Sequence, residues 1–182
     1  MSKPMYPQAP ERWLILARHA QAGDAERFFA QTGQPDYARP LTRKGYYRAE
    51  AAALGLQRWM PRIDHIWSSP WRRAEQTAAL FAAAYKHPHH CPEALEPPWA
   101  PVSFSAWLET ALVPGQIGLC VGHQPDLSHI LDYWLCGNQA NCNIPMAKGS
   151  VCILRTDTSI SPGQLRLWYK LPQEILINFD NH

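Results

Sequence analysis

Trp13-Leu14-Ile15-Leu16-Ala17, followed at once by Arg18-His19, is the stretch on which the reading of this chain turns. The five apolar residues show neither helical nor alternating period. Such a run suits a strand buried on both faces of a parallel sheet. It ends on a guanidinium and an imidazole. In open α/β sheets, ligands gather at the C-terminal ends of the strands. Arg18 and His19 are therefore the first candidate site residues.

The same arrangement recurs downstream. Residues 64–68 read as a second strand, with Ser69-Pro70-Trp71-Arg72-Arg73 just beyond it. Residues 117–121 read as a third, with Gly122-His123 beyond it. Between the strands lie helical patterns. Thr42 caps a helix that runs to Trp59, with Ala49, Ala52, Ala53, Leu56 and Trp59 on one face and Pro61 as its stop. Ser69 as N-cap and Pro70 at the first helical position open another, to about Ala84. Residues 104–112 and 125–135 are the remaining helices. Residues 150–154 and 164–169 are closing strands. The segment 86–101 holds five of the 17 prolines, so it is expected to be an irregular connection. This order implies an α/β fold, a three-layer sandwich with a mostly parallel sheet and helices on both faces. Residues 1–11 are a Pro-rich lead-in, and 12–182 are expected to form a single domain.

Composition narrows the field. The 182 residues are 46% hydrophobic and 18% charged, enough for one core without disulfide or metal support. The longest apolar run, Ala78 to Tyr85, is far short of a membrane span. A net charge of +2 gives no global field for nucleic acid or membrane, though it leaves room for a local anion pocket. Five cysteines with no C-x-x-C pair suit a reduced compartment. The opening MSKPMYPQAP has no apolar signal core, so the cytoplasm is the expected address.

Three strand ends carrying His or Arg converge on one edge of the sheet. Guanidinium groups repel a metal ion, and their fork of donors matches phosphate oxygens. The edge thus reads as an anion site with no metal, and a histidine within it can serve as a covalent nucleophile. Trp71 is placed at its rim and Arg39 at a loop over the pocket. Two other patterns carry less weight. His87, His89, His90 and Cys91 lie in a proline-kinked loop without a second ligand pair at zinc spacing, and read as solvated. Gly118-Leu-Cys120-Val-Gly122 fits a nucleophile-elbow frame, but Cys120 falls inside the expected strand.

Four segments carry a family resemblance. Leu14 to Ala20 resembles the Arg-His-Gly signature of the histidine phosphatase (phosphoglycerate mutase-like) superfamily, with Ala20 in place of the glycine. Residues 36–45, with Arg39-Pro40-Leu41-Thr42 and Gly45, are similar to the R-P-L-T-x-x-G segment of its compact SixA-like branch. Residues 68–78 resemble the S-S-P-x-x-R-A-x-Q-T-A block, and residues 121–127 the V-G-H-x-P-x-L block. The resemblance implies a phosphoglycerate mutase-like fold and a metal-independent phosphatase with no cofactor. It makes His19 the phosphoryl acceptor, with Arg18, Arg73 and His123 around the phosphoryl group. Arg73 rather than Arg72 holds the motif position.

The general acid is the weak point of the match. Glu96, before a proline pair, is the first candidate and Glu93 the second. The substrate implied is protein phosphohistidine, whose imidazole leaves easily without a strong acid. A small phosphoester is the alternative substrate, and a non-catalytic phospholigand-binding module the alternative class.

Overall fold

A computed structural model describes residues 6–7, 9–137 and 143–178. Among the described residues, five strands form one sheet: β1 (Arg12–Arg18), β2 (His65–Ser68), β3 (Ile117–Gly122), β4 (Val151–Thr156) and β5 (Arg166–Leu171), in the order β2-β3-β1-β4-β5. Six helices accompany them among those residues: α1 (Ala25–Thr32), α2 (Arg43–Trp59), α3 (Arg72–Tyr85), α4 (Pro101–Ala111), α5 (Asp126–Cys136) and α6 (Gln173–Ile177).

Side chains alternate across the apolar strands, as strand geometry requires. Trp13, Ile15 and Ala17 of β1 face one layer, built from Ala52, Ala53 and Leu56 of α2 and Ala74, Ala78 and Phe81 of α3. Leu14 and Leu16 face the other, built from Phe104 and Leu108 of α4 and Leu127, Ile130 and Trp134 of α5. The three-layer sandwich is therefore present, with a core on each face of the sheet.

The sheet itself corrects the sequence reading. It is mixed, not mostly parallel. β2–β3 and β3–β1 pair in parallel, but β1–β4 and β4–β5 pair antiparallel. β4 and β5 are joined by residues 157–165 alone, too short for the dozen or more residues of a parallel crossover. β4 is reversed for a different reason. After α5 the chain returns to the C-terminal end of β1 before it pairs, so Val151 lies opposite Ala17. That return carries residues 146–150 past the site edge.

Local details position the loops. Thr42 caps α2, its hydroxyl accepting from Gly45 N–H at 2.9 Å, while Thr42 N–H donates to Gln21 O. A Cβ at Gly45 would stand 2.0 Å from Gln21 O, so only glycine lets α2 press against the loop after β1. α3 begins at Arg72, later than the Ser69-Pro70 start expected, and has no side-chain cap. Ser69 is committed elsewhere, as described below. α1, α6 and short 3-10 turns at Asp36–Ala38 and Glu93–Leu95 add to the expected elements. Cys136 is disulfide-bonded, against the expectation of reduced thiols, while Cys91, Cys120 and Cys152 are free. Among the described residues no helix is long and apolar enough to cross a membrane.

Candidate active site

The C-terminal ends of β1, β2 and β3 open into a cleft of about 500 Å³. Arg18, His19, Arg73 and His123 all line it, together with Arg39, Trp71, Gln124, Asp126 and Lys148. Four of the five sequence-predicted site residues thus meet in one place. Glu96 does not join them. It is exposed, and only its neighbours Pro97 and Pro98 reach the rim. Glu93 is exposed as well and does not line the cleft.

His19 is 5% exposed and sits one residue past β1. Its Nδ1 lies 2.7 Å from Ala20 O, which can only accept, so Nδ1 carries the ring proton. Nε2 is left with its lone pair, and Arg73 Nε donates toward it at 3.3 Å. Burial, and then the charges of Arg73, Arg18 and Lys148, push the His19 pKa down to about 3, against a lesser upward pull from the Ala20 carbonyl. The imidazole is therefore neutral at physiological pH, with Nε2 available as a nucleophile.

Arg73 is 4% exposed and held on several sides. It forms an ion pair with Asp36 at 3.1 Å, donates to the Asp36 backbone carbonyl at 2.9 Å, and lies 4.5 Å over the Trp71 ring. Asp36 also pairs with Arg39 at 2.7 Å. Burial pushes the Asp36 carboxyl up, but hydrogen bonds and charge from Arg39 and Arg73 outweigh it and hold the group below its ordinary range. Arg72, by contrast, is exposed and does not line the cleft. Adjacent residues on a helix point about 100° apart, which explains the separation.

His123 is 5% exposed, with its ring centroid 5.0 Å from that of His19. Its Nε2 lies 2.9 Å from Ser69 Oγ. That oxygen also accepts from Trp71 N–H at 3.3 Å. His123 Nδ1 and Arg18 Nε are both buried and lack a hydrogen-bond partner. Buried polar groups are rarely left so. Both residues line the cleft, and such groups are suited to the oxygens of a bound oxyanion. Burial first, then His19 and Arg73, push the His123 pKa down to about 3 as well.

Sequence reasoning missed three supports. Ser69 lay in a recognised block but was read as a helix cap. Asp36 opened another block without being assigned a task. Lys148 had no local signal, because its place depends on the reversal of β4. Gly149 at φ 76° makes that turn, and its N–H donates to both Arg18 O and His19 O at 3.2 Å. Asp126 is also occupied, accepting from Trp99 N–H at 3.1 Å. Thr77 accepts from Ala20 N–H at 3.1 Å and Gln76 from Leu41 N–H at 2.8 Å, tying α3 to both loops of the cleft. Cys120 is fully buried within β3, and burial pushes its thiol pKa strongly up. The elbow frame has no turn to expose it.

Comparisons with known proteins follow the same lines. Residues 14–97 match the model of the histidine phosphatase superfamily, branch 1. An uncharacterized protein of Picosynechococcus is 39% identical over 116 residues, covering 63% of this chain and 67% of the relative. Among solved structures, the protein histidine phosphatase SixA complexed with tungstate superposes with a TM-score of 0.73 at 20% identity, over 90% of this chain and 99% of that one. The phosphoserine phosphatase of Entamoeba histolytica, in complex with 3-phosphoglyceric acid, gives 0.61 at 16% identity, over 91% and 99%. At these identities the solved structures establish the fold.

Proposed function

The chain belongs to the histidine phosphatase superfamily, branch 1, and we propose that it removes phosphate from protein phosphohistidine with His19 as its nucleophile. The observation that carries this reading is the state of His19: buried, neutral, its proton held on Nδ1 by Ala20 O and its Nε2 lone pair facing the cationic cleft. The tungstate bound by SixA is an oxyanion of the kind such a cleft suits.

The reaction runs in two transfers. His19 Nε2 attacks phosphorus as the P–N bond to the substrate imidazole breaks, and the leaving ring takes a proton from solvent. Arg18, Arg73 and His123 neutralise and orient the equatorial oxygens. Water then attacks phosphorus on the phosphorylated His19. Inorganic phosphate leaves and Nε2 recovers its lone pair.

The carboxylates support this substrate class. Asp36 is bound by two arginines and Asp126 by Trp99 N–H. Among the described residues no glutamate lines the cleft. An alkoxide leaving group needs a proton donor, whereas a protonated imidazole does not. Glu96 is therefore not required for phosphohistidine.

Rapid quench with ³²P-phosphohistidine protein tests the reading. Wild type traps acid-labile, alkali-stable label, and His19→Ala traps none. Label on His19→Ala removes the nucleophile. A preference in kcat/KM for an alkyl phosphate over phosphohistidine removes the substrate class, and a small phosphoester takes its place.

A further inference from the structure

The loop from His87 to Cys91 offers no second ligand pair in sequence, yet the fold brings one ligand from a helix. The Glu75 carboxylate of α3 meets the His89 imidazole and the Cys91 thiol, with one ligand atom of each lying within 4.8 Å of the others. The loop is not loose here. His90 N–H donates to Ile66 O and Ser68 N–H to His90 O, both at 3.0 Å, so His90 bridges to Trp67 at the free edge of β2. Side chains alternate along such an extended segment. His89 and Cys91 therefore share a side, the one on which Glu75 stands. Ser68 Oγ lies 3.2 Å from Cys91 Sγ and steadies it.

We propose that Glu75, His89 and Cys91 form a binding site for a zinc-type divalent transition-metal ion. Thiolate and imidazole donors select borderline-soft ions over magnesium or calcium. Zinc takes sulfur at about 2.3 Å and nitrogen or oxygen at about 2.0–2.2 Å. Tetrahedral geometry then sets ligand separations of about 3.5 Å. The three donors must close by about an ångström, which side-chain rotation from a pinned backbone supplies. The Cys91 thiol gives its proton to water as the metal–sulfur bond forms, and a water completes four-coordination. None of the three residues lines the catalytic cleft. The ion acts as a clip between the β2 edge and the first turn of α3.

Cobalt(II) is the probe, titrated into untagged full-length protein freed of metal. One ion binds per chain, with a thiolate-to-cobalt charge-transfer band in the near ultraviolet that zinc displaces. Cys91→Ser abolishes the band, Cys120→Ser keeps it, and His89→Ala and Glu75→Gln each weaken binding about tenfold or more. Zinc raises the melting temperature of wild type and leaves that of Cys91→Ser unchanged. All three side chains are at least partly exposed, so the variants fold, and circular dichroism checks that they do. A band that survives Cys91→Ser, or unchanged affinity in both His89→Ala and Glu75→Gln, overturns the site.

Discussion

Two buried histidines make this fold acid-sensitive in a way that can be calculated. His19 and His123 fall from 6.5 to about 3 on folding, chiefly by burial. Above about pH 6.5 both rings are neutral in folded and unfolded chains, and they contribute no pH dependence. Between about 6.5 and 3 the unfolded chain takes up protons that the folded one refuses. Stability then falls as pH falls, by about 1.4 kcal/mol per pH unit for each histidine. At pH 5 the loss is about 2 kcal/mol per ring, or about 4 for the pair. That is a large share of the roughly 5–15 kcal/mol that holds a domain folded.

Urea unfolding at pH 7 and pH 5 measures it. Other titrating groups cancel when the drop is compared between wild type and His19→Asn, since asparagine does not titrate. The drop between the two pH values should shrink by about 2 kcal/mol in His19→Asn, and by about 4 in the double variant with His123→Asn. Imidazole NMR gives a second reading on wild type alone, where neither ring titrates near 6.5. An equal drop in wild type and both variants, or a His19 ring that titrates near 6.5, refutes the neutral buried nucleophile.

Arg73→Ala should lower kcat by about 10²-fold or more, as loss of a preorganised charge does, and Arg72→Ala should lower it far less; steady-state kinetics on phosphohistidine and an aryl phosphate separates the two. Ser69→Ala removes the partner of His123 Nε2 and should reduce kcat about tenfold with KM little changed. Gly45→Ala drives a Cβ into the Gln21 carbonyl and should cost about 3 kcal/mol in urea unfolding. Glu96→Gln should leave phosphohistidine hydrolysis within about twofold, where loss of a working general acid would cost about 10²–10⁴-fold.

The parts legible in sequence are those fixed by contiguous residues. The run from Trp13 to Ala17 announced a doubly buried strand, because each residue there faces a packed layer on one side or the other. The cationic residues at three strand ends announced one shared edge, since parallel strands β1, β2 and β3 point their C-termini the same way. What escaped depends on how distant segments turn. Nothing local to residues 150–154 distinguishes a strand entering from the top of the sheet from one entering at the bottom. The mixed sheet and the position of Lys148 were lost together for that reason. Ser69 escaped differently: a serine before proline is a helix cap by local rule, and only the tertiary approach of His123 diverts its hydroxyl.

That diversion bears on chemistry. The Ser69 hydroxyl gives His123 Nε2 a close partner, while Ala20 O fixes the proton of His19 on Nδ1. The two neutral imidazoles lie 5.0 Å apart. On His19 the free lone pair is Nε2, beside Arg73 and placed to attack. On His123 Nε2 is engaged by Ser69, and Nδ1 is left for a bound group. Their shared burial keeps both uncharged, so the arginines supply the positive field while neither histidine loses its assigned function to protonation. Asp126, the carboxylate that does line the cleft, is engaged by Trp99 N–H. The state of the nucleophile is therefore a consequence of one physical condition, a desolvated cationic cleft.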